Sequence, residues 1–121
     1  MKKTILIIED DFDINEMIKT RLEEDGYNTI SSYDGNDALK KLNTFNPDLI
    51  ILDIILPKVN GFELCKTIKK NESWCHIPII LMTATSGLDN VARNEDKVQA
   101  DACIAKPFEY PELLETIKKL I

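Results

Sequence analysis

The sequence has little of what several common functional sites require. It contains one histidine, His76, and three cysteines, Cys65, Cys75 and Cys103, with no Cys-x-x-Cys pair. The odd number and the spacing fit neither a disulfide framework nor a usual zinc site, so a metal site of Cys65, Cys75 and His76 is only a minor alternative. Reduced thiols suit a cytoplasmic protein, and we expect His76 in a loop or at the surface.

Long apolar runs and clustered positive charge are also missing. No apolar segment approaches the roughly 20 residues of a membrane-spanning helix. The apolar stretch after Lys2 and Lys3 is too short for a signal peptide and ends in three acids. The net charge of −6 argues against nucleic acid as a direct partner, because phosphate binding needs clustered lysine and arginine. We therefore expect a soluble protein that contacts neither membrane nor nucleic acid by itself.

The chain does contain a regular alternation of apolar, β-prone runs with segments of helical periodicity, without repeats or linkers. The runs predict five strands, at Thr4–Ile8, Asn28–Ser31, Asp48–Leu52, Ile79–Met82 and Ala102–Ala105. The helical segments are Ile14–Leu22, Asp37–Leu42, Gly61–Lys70, Ser86–Gln99 and Leu113–Leu120. Five strand and helix pairs within 121 residues predict one domain, residues 1–121, with a doubly wound, parallel α/β sheet.

The helix predicted over Ser86–Gln99 has the weakest apolar face. Leu88, Val91 and Val98 keep the helical spacing, but Glu95 falls on the same face. We therefore expect the core to hold this helix poorly.

Acidic residues stand directly after two of the predicted strands. Glu9, Asp10 and Asp11 follow the first strand, and Asp53 follows the third. Because the carboxyl ends of parallel strands meet in one crevice, these carboxylates are expected to converge. Converging carboxylates are stable only with a cation or a shared proton between them, so the sequence predicts a metal site or a proton-sharing pair. If the first acids merely began a helix, Asp53 would stay unexplained.

Four short motifs follow the strands in a fixed order. They are Glu9-Asp10-Asp11, the loop Leu-Asp-x-x-Leu-Pro-x-x-x-Gly over residues 52–61, Thr83-Ala84, and Lys106-Pro107-Phe108. Together they resemble the receiver domain of two-component response regulators, over all 121 residues. The resemblance implies a flavodoxin-like fold with five parallel strands in the order 2-1-3-4-5 and five helices.

The resemblance also implies a phosphoryl and metal site. Asp53 would be the phosphoacceptor, and Thr83 and Lys106 would contact the phosphoryl group. Mg²⁺, or Mn²⁺, would be held by Asp10, Asp53 and the backbone carbonyl of Ile55, with Glu9 acting through water or beside the ion. Asp11 would face elsewhere.

Thr83, Cys103 and Pro107 stand at positions that the family uses for its conformational switch. Thr83 would be drawn toward the phosphoryl group, and the predicted helix over 86–99 would be mobile before phosphorylation and ordered after it. Cys103 replaces a common aromatic residue, so coupling to the partner surface is expected to be weaker or to take another route. The family implies a cis Lys106–Pro107 bond, whereas the sequence alone leaves cis and trans open.

The implied function is a signalling switch rather than a turnover enzyme. A sensor histidine kinase or phosphotransfer protein would supply the phosphoryl group, and the domain would slowly hydrolyse its own aspartyl phosphate. The fourth helix, fifth strand and fifth helix would contact an output domain or target protein. The resemblance also allows a homodimer that forms on phosphorylation, but no residue of the sequence requires one.

Two other functions agree less well with the residues. An aspartyl phosphatase generally carries a second acid two residues after the nucleophile, and Ile55 stands there instead. Apolar Ile55 is also expected to shield the phosphoryl group and slow its loss. A receiver-shaped interaction module that works without phosphorylation is kept as an alternative because of Cys103. Trp74 precedes the fourth strand, so its fluorescence is expected to respond little to Mg²⁺ or phosphorylation.

Overall fold

Strands and helices alternate along the chain, as the sequence pattern predicts. The computed structural model describes residues 2–84 and 100–121. The elements in these ranges are β1 (Thr4–Ile8), α1 (Phe12–Glu24), β2 (Asn28–Ser32), α2 (Gly35–Thr44), β3 (Leu49–Asp53), α3 (Gly61–Lys70), β4 (Ile79–Ala84), β5 (Ala102–Lys106) and α4 (Tyr110–Leu120). The helix predicted over 86–99, and the hypothesis that it orders on activation, lie outside the described residues.

The five strands form one parallel sheet in the order β2-β1-β3-β4-β5, which confirms the predicted topology. Strand β1 pairs with β2 on one side, where Ile5 lies opposite Thr29, and with β3 on the other, where Ile5 lies opposite Leu49. The winding direction therefore reverses between β1 and β3. In such sheets the ligand crevice lies outside the carboxyl ends of the strands at this reversal.

The core consists of two apolar layers, one on each face of the sheet. Alternate residues of a strand point to opposite faces, so Leu6 and Ile8 pack with α2 and α3, whereas Ile5 and Ile7 pack with α1 and α4. Burial on both faces explains why the central strands are apolar throughout. Among the described residues, no helix is long and apolar enough to cross a membrane.

Several predicted boundaries change because of hydrogen bonds that the apolar pattern does not reveal. The helix α2 starts before the predicted Asp37, because the side chain of Asp34 caps it and accepts a hydrogen bond from Asp37 N at 2.8 Å. Strands β4 and β5 run further than predicted, since Thr83 pairs with Ala105 and Ala84 pairs with Lys106. Thr83 and Lys106 therefore lie within strands rather than after them.

Candidate metal and phosphoryl site

Asp53 and Lys106 meet at the carboxyl edge of the sheet. Asp53 is the last residue of β3 and is 5% exposed, and Lys106 is the last residue of β5. The Nζ atom of Lys106 donates to Oδ2 of Asp53 at 2.9 Å and also to Oε1 of Glu9. One ammonium group thus joins the ends of β1, β3 and β5.

Glu9 is fully buried, and both of its carboxylate oxygens are engaged. Oε1 accepts from Lys106, and Oε2 accepts from Asp11 N at 3.1 Å. Its own backbone N–H donates to the carbonyl of Ser32 at 3.0 Å, which extends the β1–β2 ladder by one residue. The carboxylate is therefore fixed in place below the crevice.

Asp10 completes an acidic cluster with Glu9 and Asp53. Asp10 is exposed, and one carboxylate oxygen from each of the three residues lies within 4.8 Å of the others. Hard oxygen ligands in this arrangement suit Mg²⁺ or Mn²⁺. In the described part of the chain, no other group of three or more acidic, cysteine or histidine side chains is close enough to share an ion. The alternative site of Cys65, Cys75 and His76 is therefore not formed, and His76 is exposed as predicted.

Charge at the site is unbalanced toward the negative side. Burial raises the pKa of the Glu9 carboxyl to about 7, the Lys106 hydrogen bond opposes this rise, and neighbouring Asp53 adds to it. Burial alone would lower the pKa of the Lys106 ammonium, but its hydrogen bonds to Glu9 and Asp53 outweigh burial and raise that pKa. One ammonium shared by two carboxylates leaves negative charge for a divalent cation to neutralise.

The loop after β3 is held tightly against Asp53. The backbone N–H of Ile55 donates to Oδ1 of Asp53 at 3.1 Å, and Gly61 N donates to the carbonyl of Ile54 at 2.7 Å. A Cβ atom at Gly61 would lie 2.4 Å from Ile54 Cα and 2.5 Å from the carbonyl oxygen of Asp53. Only glycine allows this approach. The side chain of Ile55 is 69% exposed.

The predicted switch residues lie on or directly after the neighbouring strands. Thr83 is buried on β4, between Asp53 on β3 and Lys106 on β5. Cys103 is exposed on β5, and the Lys106–Pro107 bond is cis, as the resemblance implied. The roles of Thr83 and Cys103, and the contribution of the Ile55 carbonyl to a metal, stay predictions.

Asn15 is fully buried, and the apolar pattern of α1 does not indicate a role for it. The buried residues of α1 are Asn15, Ile18 and Leu22, whereas Met17, which keeps the helical spacing of the apolar residues, is 42% exposed. The available signal was an asparagine at helical spacing with two core residues. Asp11 faces away from the cluster, as expected, and caps α1 by accepting from Ile14 N at 3.1 Å.

A family model for the response regulator receiver domain matches residues 5–118. The chain belongs to this family. Receiver domains are phospho-accepting signalling switches of two-component systems, not turnover enzymes, and they bind Mg²⁺ in an acidic cleft. They interact with histidine kinases and output domains.

Individual relatives agree with this assignment. The receiver domain is 37% identical over 122 residues to the alkaline phosphatase synthesis transcriptional regulatory protein PhoP of Bacillus subtilis, covering 100% of the chain and 49% of that protein. It spans about half the length of the curated relatives it matches. Chemotaxis response regulator CheY4 of Vibrio cholerae superposes with a TM-score of 0.91 at 26% identity, over 100% of both chains.

A further solved relative contains a metal. The receiver domain of sensor histidine kinase PA1611 from Pseudomonas aeruginosa superposes with a TM-score of 0.88 at 27% identity, over 99% of this chain and 98% of that one. That structure has a magnesium ion coordinated in the active-site cleft.

Proposed function

We propose that residues 1–121 form one receiver domain in which Asp53 accepts a phosphoryl group from the phosphohistidine of a sensor histidine kinase or phosphotransfer protein. The observation that supports Asp53 most directly is its contact with Lys106 at 2.9 Å, beside the acids Glu9 and Asp10. A buried carboxylate with a fixed ammonium partner can act as a nucleophile toward phosphorus, provided that the charge on the transferring group is neutralised.

The chemical step is a direct transfer. An oxygen of Asp53 forms a bond to phosphorus while the bond from phosphorus to the donor imidazole nitrogen breaks, and that nitrogen keeps the electron pair. Lys106 and the Ile55 N–H orient the two oxygens of Asp53. Lys106 also neutralises charge on the phosphoryl oxygens, and the hydroxyl of Thr83 donates to one of them.

The donor set fits a magnesium ion. Asp10, Asp53 and the backbone carbonyl of Ile55 would hold Mg²⁺ or Mn²⁺, with Glu9 acting through water. Mg²⁺ keeps several waters, so few protein ligands are needed. Bound there, it supplies positive charge to the transferring phosphoryl group.

We expect the aspartyl phosphate to be lost slowly. Ile55 stands two residues after the phosphoacceptor and offers no acid or base to activate water. Its backbone N–H contacts Asp53, and its exposed apolar side chain would limit the approach of water to the phosphoryl group. An Ile55→Asn substitution should therefore shorten the lifetime of the phosphorylated protein, as measured by intact mass after removal of the donor.

A partner reads the phosphorylated state at the face formed by β5 and α4; the part of this surface predicted over 86–99 lies outside the described residues. Thr83, Cys103 and Pro107 would link the phosphoryl group to that face. Because the relative PhoP is a transcriptional regulatory protein, we propose an output of this kind, with any DNA contact made outside the receiver domain. We place the domain in the cytoplasm.

Intact-mass measurement tests the proposal. The protein is incubated with Mg²⁺ and a small-molecule phosphodonor, alongside Asp53→Asn and a control, Asp13→Asn, which removes the same charge from an exposed position at the start of α1. We expect one phosphoryl adduct in the wild-type and control proteins, none in Asp53→Asn, and none without metal. An adduct that persists in Asp53→Asn would place the phosphoacceptor elsewhere.

A further inference from the structure

We propose that Asn15 is a positioning residue that holds the acidic loop Glu9-Asp10-Asp11 in its metal-binding conformation. The inference rests on the proposed metal site and extends it to a residue that would touch neither metal nor phosphoryl group. Asn15 lies in the first turns of α1 and is fully buried. A buried amide is costly unless its donors and acceptor are all engaged.

The side chain of Asn15 links the ends of β1 and β2. Its Nδ2 donates to the carbonyl of Glu9 at 3.0 Å and to the carbonyl of Ser32 at 3.1 Å, with a longer contact to the carbonyl of Ile7 at 3.5 Å. Its Oδ1 accepts from the hydroxyl of Ser31 at 2.6 Å. The hydroxyl of Ser31 thus orients the amide so that the NH₂ group faces the strand ends.

These bonds fix the backbone on both sides of Asp10. The carbonyl of Glu9 belongs to the planar peptide group that joins Glu9 to Asp10, so holding it sets the direction in which Asp10 leaves the sheet. The backbone N–H of Asn15 donates to the carbonyl of Asp11 at 3.0 Å, on the other side of Asp10. Asn15 therefore holds the backbone on both sides of Asp10, the exposed acid that is the candidate direct metal ligand.

This arrangement should raise the affinity for metal, because the ligands are already ordered before the ion binds. Outer groups that hold metal ligands typically change metal affinity by about 10–100-fold when they are removed. Replacing Asn15 with leucine keeps a similar volume, but it leaves the carbonyls of Glu9 and Ser32 without the amide donors. The loop is then free to take other conformations, and the affinity for metal should fall.

The test is Mn²⁺ binding followed by electron paramagnetic resonance, which reports the free ion directly and needs no phosphoryl transfer. The variants are Asn15→Leu and, as a control, Ile18→Ala, which lies on the same buried face of α1 and packs in the apolar core layer. We expect Asn15→Leu to raise the Kd for Mn²⁺ about tenfold or more. Ile18→Ala should leave the Kd within about twofold, although we expect urea unfolding to show that both variants are destabilised.

A milder variant covers the case in which Asn15→Leu does not fold. Ser31→Ala removes only the hydrogen bond that orients the amide, and the Kd should rise by a factor between those of Ile18→Ala and Asn15→Leu. An unchanged Kd in a folded Asn15→Leu, or in Ser31→Ala if the former is unfolded, would overturn the inference alone. Failure of the wild-type protein to bind Mn²⁺ would overturn the proposed function together with it.

Discussion

Lys106 reaches across a whole strand to contact Asp53. The two residues end β5 and β3, with β4 between them, and yet Nζ of Lys106 lies 2.9 Å from Oδ2 of Asp53. Strands two apart are separated by about 10 Å, so only a long side chain can bridge them. The same ammonium contacts Glu9, which makes Lys106 the main positive charge on the acids when no metal is bound.

Replacing Lys106 with methionine should make the protein depend more on Mg²⁺ for its stability. The buried acids Glu9 and Asp53 lose their cation, and a bound metal restores positive charge beside them. The rise in Tm on saturation with Mg²⁺ should be larger in the variant, by about 4 °C for each kcal/mol of coupling. Lys119→Met removes an exposed lysine that pairs with Glu115 and should leave the Mg²⁺ effect unchanged. Equal shifts in both variants would contradict the prediction.

Gly61 should not accept even alanine. The new Cβ would collide with Ile54 Cα and the carbonyl of Asp53, so the loop after β3 must move, at a cost of about 3 kcal/mol in unfolding free energy. Phosphorylation of Asp53 should slow in parallel, as measured by intact mass. Gly26→Ala is the matched control: its φ of +93° costs about 1 kcal/mol, but it has no neighbour within 4 Å and should leave phosphorylation unchanged.

Tyr110 ties α4 to the end of α1. Its hydroxyl donates to Oδ2 of Asp25 at 2.7 Å, and the guanidinium of Arg21 lies 4.5 Å from the centre of its ring. Burial and the hydrogen bond to Asp25 raise the pKa of the Tyr110 phenol, so this contact persists across the usual pH range. Tyr110→Phe should lower the unfolding free energy by about 1 kcal/mol in urea titrations. A loss well below that, in a variant that keeps the fold, would show that water replaces the contact without cost.

Trp74 should report unfolding but not metal binding. It lies before the amino end of β4, where it packs on the core layer beneath α2 and α3. Asp53 lies opposite Met82, so the site is about 10 Å further along the sheet than the amino end of β4. Its fluorescence should therefore change in urea and stay nearly constant on addition of Mg²⁺ or a phosphodonor. A large quench by Mg²⁺ would mean that the metal binds elsewhere.

The sheet and the acidic cluster were accessible to sequence reasoning because each depends on a local pattern. The apolar runs at Thr4–Ile8 and Leu49–Leu52 predict buried strands, and the acids that follow them must meet if the strands are parallel. The family resemblance added the strand order and the place of Lys106. The predicted bounds of β1 and α3 are confirmed, so the apolar run of the strand and the helical spacing of the helix are both strong signals.

The missed features depend on contacts between distant parts of the chain. Asn15 reads as a polar interruption of α1, and only the fold brings it against the carbonyl of Ser32. Met17 fits the helical spacing but is 42% exposed, so the spacing alone does not show which residues of the helix the core covers. The double contact of Lys106 with Asp53 and Glu9 also depends on the distance across β4, which no sequence spacing encodes.

Without metal, Glu9 should make the protein less stable as the pH rises from about 4.5 to about 7. Burial raises the pKa of its carboxyl from the ordinary value of 4.5 to about 7, so across this window the folded state keeps a proton that the unfolded chain has released. Its stabilising contribution is thus complete below pH 4.5 and is lost as the pH rises through 7, by up to about 1.4 kcal/mol per pH unit. Glu9→Gln does not titrate, so in urea titrations with EDTA its stability relative to the wild-type protein should grow across the window and then level off. A difference that stays constant with pH would show that the Glu9 carboxyl has an ordinary pKa in the folded protein.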